Sequence, residues 1–228
     1  MNSSNSVIIT AAGHGKRMGS QIPKQFLPIC GRPILMHTIT RFYNFDSSIE
    51  IILTLPVDWV DYWDELCVEY GFNIPHRVVT GGVKRFESVK NAINHATGDL
   101  IAIHDGVRPL VTLDTIKRCF ESAQILKAAI PAVRPNAVLR IKTEDGSEKV
   151  SREEIVSTQT PQVFQRGILI RAYKQEYAQI FSDDASVVEN LGISIHVVEG
   201  NEENIQITTK KDIKYAEDVL QEWNAINQ

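Results

Sequence analysis

Three cations, Lys16, Arg17 and Lys24, follow closely on a short β-branched run and two glycines, Gly13 and Gly15. Glycine lets backbone N–H groups approach a ligand, and a concave row of such groups binds anions. Lysine and arginine beside that row hold phosphate oxygens and neutralise charge that builds up during phosphoryl or nucleotidyl transfer. Residues 8–19, with Pro23-Lys24-Gln25 behind them, therefore read as a triphosphate-binding loop. The loop lacks the Gly-x-x-x-x-Gly-Lys-Ser/Thr of a Walker motif. It also lacks the third glycine of the dinucleotide fingerprint, Met18 standing there instead. A solvated turn with ordinary surface cations is the competing description of this fragment taken alone.

Further along, Asp105 closes an apolar run and is a candidate Mg²⁺ ligand, because Mg²⁺ commonly takes one or two carboxylates plus substrate phosphates. Capping the next turn is its alternative role. Arg108 is either a phosphate ligand or a surface residue held by Pro109. Ser88, at a helix start behind Gly81-Gly82, can meet the edge of a base or cap the helix. His104 reads as a hydrogen-bonded structural histidine, and His14 is a poor acid–base candidate. Asp183-Asp184 sits just before a helix, where acids are routine. No Ser/His/Asp, Cys/His or metal-cluster spacing stands out.

The elements that must position these groups alternate. Strands are expected over 7–10, 50–55, 77–80, 100–104 and 128–133, and helices over 33–45, 59–70, 86–95 and 113–127. Such alternation predicts an α/β, doubly wound, mostly parallel sheet covered on both faces, with ligands at the carboxyl ends of its strands. The loop after the first strand, Gly81-Gly82 and Asp105 all fall there. Around 137–158 the rhythm breaks. Apolar segments 138–142 and 155–158 flank the turn signal Glu144-Asp145-Gly146, giving a protruding β-hairpin arm at about 135–158 that is a lid, a partner-reaching arm or a decoration. A helix over 166–180, a short helix over 185–191, strands over 195–198 and 205–208 and a helix over 212–223 complete the chain. One domain spanning 1–228 is expected.

With 228 residues, 43% of them hydrophobic, and a net charge of −4, the chain can build a sizeable core and carries no nucleic-acid footprint. Cys30, Cys67 and Cys119 are too few and scattered for a disulfide framework or a zinc site, and no run approaches a membrane span. A cytoplasmic location follows.

Six motifs, in order, resemble those of the 2-C-methyl-D-erythritol 4-phosphate cytidylyltransferases. They are Ala11-Ala12-Gly13-His14-Gly15-Lys16-Arg17-Met18-Gly19, Pro23-Lys24-Gln25, the segment from Gly81-Gly82 to Ser88-Val89, His104-Asp105-Gly106-Val107-Arg108-Pro109, Gln159-Thr160-Pro161-Gln162, and Asp183-Asp184-Ala185-Ser186. The resemblance implies a Rossmann-like nucleotidyltransferase that moves CMP from CTP onto methylerythritol phosphate and releases pyrophosphate, with Mg²⁺ held largely by the CTP phosphates. It implies catalytic roles for Arg17 and Lys24, and a nucleotide pocket of Ala11, Ala12, Gly13, Gly15, Gly82 and Ser88. It implies substrate contacts from Asp105, Arg108, Arg152, Thr160 and Ser182, with Asp105 also at the metal. Arg152 would reach the other subunit of a homodimer formed through the arm. The chain departs from the family in Gln206, where a phosphate-binding lysine is expected, and in Val83, where an acid often stands. Ribitol 5-phosphate cytidylyltransferase is the nearest alternative, and a nucleotide-binding module without turnover a more distant one.

Overall fold

In the computed structural model, residues 4–13 and 22–226 are described. The first half runs β1 (Asn5–Thr10), a 3-10 turn (Lys24–Phe26), β2 (Pro28–Ile29), β3 (Arg32–Pro33), α1 (Ile34–Phe45), β4 (Glu50–Leu55), α2 (Val60–Glu69), β5 (Arg77–Thr80), α3 (Arg85–Ile93), β6 (Leu100–Asp105) and α4 (Leu113–Leu126). The second half runs β7 (Ala128–Val133), β8 (Arg140–Thr143), β9 (Gly146–Lys149), β10 (Ser157–Thr158), β11 (Gln162–Gln165), α5 (Arg166–Ala172), α6 (Asp184–Glu189), β12 (His196–Glu199) and α7 (Lys210–Ile226).

Strands β5, β4, β1 and β6 lie side by side and parallel. Beyond β6 comes β11, antiparallel to both β6 and β7, and then β7, with β12 parallel along its far edge. Ala129 pairs with both Val163 and His196, and Ala132 with both Thr158 and Glu199. Each β7 residue has two edges, so β10 and β11 share the edge opposite β12 as one interrupted strand. Six strands thus run one way and only β10 and β11 run against them.

Alternation along the strands loads both faces of this sheet. Val7 and Ile9 of β1, Ile51 and Leu53 of β4, and Leu100 and Ala102 of β6 pack under α1, α2 and α4. Ile8, Ile52, Ile101 and Ile103, which alternate with them, pack under α3, α5 and α6. A third cluster seats α7, through Ala216, Val219 and Leu220, on Ile29, Val107 and Leu110. Among the described residues no helix is long and apolar enough to cross a membrane.

Three expected elements come out differently. The two-residue turn Glu144-Asp145 pairs Thr143 directly with Gly146, so the second arm strand is Gly146–Lys149, and Ser157–Thr158 joins the edge of β7 instead. The helix expected over 166–180 stops at Ala172. There the Gln175 side-chain amide caps the Ala172 carbonyl, and Tyr173 turns in to stack on Phe86. Residues 205–208 form no strand. Ile207 donates its amide to the Val107 carbonyl, but Pro109 lies close behind in that facing segment and no ladder extends. Neither β11 nor the small β2–β3 hairpin was anticipated from the sequence.

Candidate active site at the carboxyl ends of β1 and β6

The cleft, of about 190 Å³, opens where β1 and β6 end side by side, with Thr10 paired to Asp105. One wall is the backbone of Ala11, Ala12 and Gly13, braced from below by the buried Gln25 amide, which donates to the Ala11 carbonyl at 2.6 Å and to that of Gly13 at 3.2 Å. Gln25 sits in the 3-10 turn that also presents Lys24, so one short turn both shapes the wall and supplies a cation. The Lys24 ammonium donates to the Ile207 carbonyl at 3.0 Å.

The opposite wall is the start of α3. A Cβ on Gly81 would stand 2.3 Å from the Ala12 Cβ, and one on Gly82 2.3 Å from that of Glu87, so only glycines let this segment come so close. The Gly82 amide donates to Ser88 Oγ at 3.0 Å, and that hydroxyl donates to the Lys84 carbonyl at 3.2 Å. Ser88 therefore braces the wall from behind.

Asp105 is the only carboxylate among the described residues lining the cleft. Its Oδ2 accepts from Arg108 Nε at 2.9 Å and from Gln206 Nε2 at 3.4 Å, while Oδ1 lies 3.5 Å from an Arg85 nitrogen. Burial works against the charge on Asp105, yet Arg85 and then Arg108 hold its pKa below the ordinary carboxylate value. Arg108 is fixed in turn, donating to the Asn204 carbonyl at 2.8 Å. Arg85 also meets the fully buried Asp184 at 2.7 Å. That contact is an ion pair rather than an aligned hydrogen bond, because Asp184 Oδ2 finds no donor of good geometry. Burial opposes the Arg85 charge, but Asp184 and then Asp105 raise its pKa.

Beneath Asp105 a relay ties the floor to β11. The Asp105 amide donates to Thr160 Oγ1 at 3.1 Å, which stands 2.9 Å from His104 Nδ1, while His104 Nε2 faces the Arg108 carbonyl at 3.0 Å. A carbonyl only accepts, so Nε2 carries the proton and Nδ1 accepts from the Thr160 hydroxyl. Burial pushes the His104 pKa down to about 4, leaving the imidazole neutral and structural.

The family model for 2-C-methyl-D-erythritol 4-phosphate cytidylyltransferase (IspD) matches residues 6–222. The chain belongs to this family. A cytidylyltransferase of that name from Bacteroides thetaiotaomicron is 52% identical over 94% of this chain and 99% of its own. One from Bacteroides fragilis is 50% identical over 93% and 98%. Among solved structures, the Francisella tularensis 2-C-methyl-D-erythritol 4-phosphate cytidylyltransferase superposes with a TM-score of 0.77 at 32% identity, covering 94% of this chain and 98% of that one. The 4-diphosphocytidyl-2C-methyl-D-erythritol synthase from Anaerococcus prevotii reaches 0.82 at 26% identity, with 96% of each chain covered. The ribitol 5-phosphate alternative gains no support from these relatives.

Of the residues expected at a cytidylyltransferase site, Ala11, Ala12, Gly13, Lys24, Gly82, Ser88 and Asp105 line one cleft. Arg108 and Thr160 lie against Asp105. Ser182 is exposed just before the Asp183 cap of α6, and Arg152 is exposed on the arm, where its guanidinium donates to the Asn136 carbonyl at 3.4 Å; neither lines the cleft. Arg17 and Gly15 lie outside the described residues, as do Lys16 and His14. The acids Asp183 and Asp184 do not act as a pair, since Asp183 caps α6 through the Ser186 amide and Asp184 is the buried partner of Arg85.

The sequence alone assigns no role to Gln25 or Arg85. The glutamine directly after Lys24, and an arginine three residues past Gly82, are the signals it offers. The donor set suits Mg²⁺ in a limited way. Among the described residues no group of three or more acidic, His or Cys side chains forms a metal cage. Asp105 Oδ1, with only a long contact to Arg85, keeps lone pairs for a metal held mainly by substrate phosphates.

Proposed function

We propose that this chain transfers CMP from CTP to 2-C-methyl-D-erythritol 4-phosphate and releases pyrophosphate, in non-mevalonate isoprenoid precursor synthesis. The carrying observation is the pairing, across one cleft, of a glycine-lined backbone wall and Lys24 with Asp105 clasped by Arg108. That arrangement suits a polyanionic nucleotide meeting a second phosphorylated compound.

The chemistry follows from charge. A phosphate monoester has its second pKa near ~6, so the attacking oxygen is already anionic at neutral pH and no general base is needed. His104, neutral and buried beneath the floor, is not asked to move a proton. Lys24 and Arg17 bind the triphosphate, hold it in line for attack and stabilise charge at the α-phosphorus. Ala11, Ala12, Gly13, Gly15, Gly82 and Ser88 seat the nucleoside. Asp105 and Arg108 would contact the sugar phosphate, with Thr160 beneath them holding the Asp105 amide and Ser182 contributing from outside the cleft lining. Asp105 would be the protein's ligand to Mg²⁺, which when bound neutralises triphosphate charge and polarises the reacting phosphoryl group.

Two chains would form a homodimer through the arm, and Arg152 would reach the sugar phosphate of the partner's cleft. Free Cys30, Cys67 and Cys119 suit a reducing cytoplasm. Pyrophosphate release, measured with CTP and either methylerythritol phosphate or ribitol 5-phosphate, tests the reading. Preference for the ribitol compound, or no release with either, would sink it.

A further inference from the structure

Asp105 needs its carboxylate plane fixed, and its own torsion does not fix it. The terminal torsion of an aspartate is broad and two-fold, so its hydrogen-bond partners choose the orientation. Arg108 and Gln206 both take Oδ2. Arg85 faces the other oxygen, Oδ1. Without a cation on that side, nothing in these contacts opposes rotation of the carboxylate toward Arg108.

Arg85 is itself held at several points. It opens α3 directly behind the glycines of the cleft wall. The ring of the next residue, Phe86, stacks on Tyr173 at 4.8 Å and on Phe181 at 5.8 Å. The Tyr173 hydroxyl donates to Asp184, the acid that Arg85 meets at 2.7 Å. Asp184 is anchored through its neighbour, since the Ala185 amide donates to Gln162 Oε1 at 2.8 Å on β11. The same strand region carries Thr160, on which the Asp105 amide rests.

We propose that Arg85 is a positioning residue, its guanidinium locked onto the buried Asp184 so that the Asp105 carboxylate is held in one orientation at the cleft floor. The inference deepens the cytidylyltransferase reading and rests on it for the kinetic consequence. A purely structural salt bridge would have little reason to face the cleft. Yet the Arg85 side chain is 36% exposed and lines it, while Asp184 has no exposure at all. Neutralising a buried acid is also a poor stabiliser compared with an apolar pair, so the ion pair calls for a second role.

Two variants separate positioning from stability. Arg85→Gln leaves the buried Asp184 carboxyl without its cation, and its Tm should fall by about 10 °C. Arg85→Gln combined with Asp184→Asn removes that acid together with its partner, and its Tm should return to within about 3 °C of wild type. In the double variant kcat should nevertheless stay on the order of 10-fold or more below wild type, since a small misplacement of a reacting-site group costs rate. The KM for CTP should change little. A crystal structure of the double variant should show the Asp105 carboxylate rotated away from its native plane. Recovery of kcat together with Tm, or an unmoved Asp105, overturns the proposal. If the wild type releases no pyrophosphate, the functional reading fails, while the position of Asp105 in the double variant still judges Arg85.

Discussion

At the carboxyl ends of β1 and β6, polar side chains are tied to one another, whereas the arm holds apolar side chains out to solvent. Asp105 has three side-chain partners, Thr160 and His104 relay beneath it, and Gln25 braces the glycine wall. On the arm, Val138 is 69% exposed and Ile141 57%, and every residue of β9 is exposed. The described side chains of the cleft are thus held by protein contacts, which is what electrostatic stabilisation of a transition state requires. The arm has the opposite character. Exposed apolar side chains on a two-stranded ribbon are marginal alone and belong against another surface. In the proposed homodimer that surface would be a second copy.

The largest expected effect tests the cleft side of this contrast. Lys24→Ala should lower kcat by on the order of 10²-fold or more, by analogy with loss of one preorganised transition-state donor. Its melting temperature should stay near that of wild type, because the half-buried ammonium makes its bond to a carbonyl rather than filling a core. Steady-state pyrophosphate release and a thermal melt check both halves. Turnover close to wild type would remove Lys24 from the chemistry, and Arg17→Ala is judged by the same assay.

Next in size is a pH effect arising under the cleft floor. His104 has its pKa lowered from 6.5 to about 4, by burial first of all. The unfolded chain therefore binds a proton in the window between those values while the folded chain does not, and stability rises with pH across it. This contribution is fully present above about pH 6.5 and is lost as pH falls toward 4. Between pH 7 and pH 4.5 it amounts to on the order of 2 kcal/mol. Urea denaturation of wild type and His104→Gln at both pH values should show the variant losing less on acidification. Equal losses in the two proteins would mean that His104 is not held neutral.

The same contrast separates what could be read in the sequence from what could not. β4, β5 and β7 follow directly from apolar runs bounded by turn residues, and their ends match the expectation. Asp105 and Lys24 could be anticipated at one site because one ends and the other follows a strand of a parallel sheet, where loops converge. Arg85 could not, because the partner that gives it meaning, Asp184, lies far along the chain and read as an ordinary helix-start acid. β11 was hidden because 162–165 is short and its pairing with β6 and β7 is wholly long-range. The arm's register departs from the expectation because two apolar segments flank the turn and both suit a strand. The turn's own two-residue geometry decided which residues met.

A smaller effect probes the join between the two regions. Arg152→Ala should raise the KM for the sugar phosphate about 10-fold, the worth of one charge-assisted hydrogen bond, while CTP affinity is retained. Among the described residues of a single chain the Arg152 guanidinium meets the Asn136 carbonyl and does not line the cleft, so a change in KM would point to the arm acting on a cleft other than its own. An unaltered KM would leave Arg152 as an arm residue without a ligand. Mixing Arg152→Ala chains with chains disabled at Lys24 sharpens the point. If each cleft takes its arginine from the partner, a heterodimer rebuilds one complete site, and partial activity should return.

The smallest effect concerns the arm's apolar face. Ile141→Ser changes a side chain that is 57% exposed within one chain, so by itself it should alter the stability of that chain by less than about 0.5 kcal/mol. Association with a second copy adds a mass-action contribution that grows with protein concentration. The wild-type melting temperature should therefore climb by roughly a few degrees across a concentration series of about 100-fold. The Ile141→Ser series should be flatter and should coincide with wild type at the dilute end. A wild-type melting temperature independent of concentration, with one sedimenting species of single-chain mass, would show that the exposed face of the arm has no copy of itself to cover it.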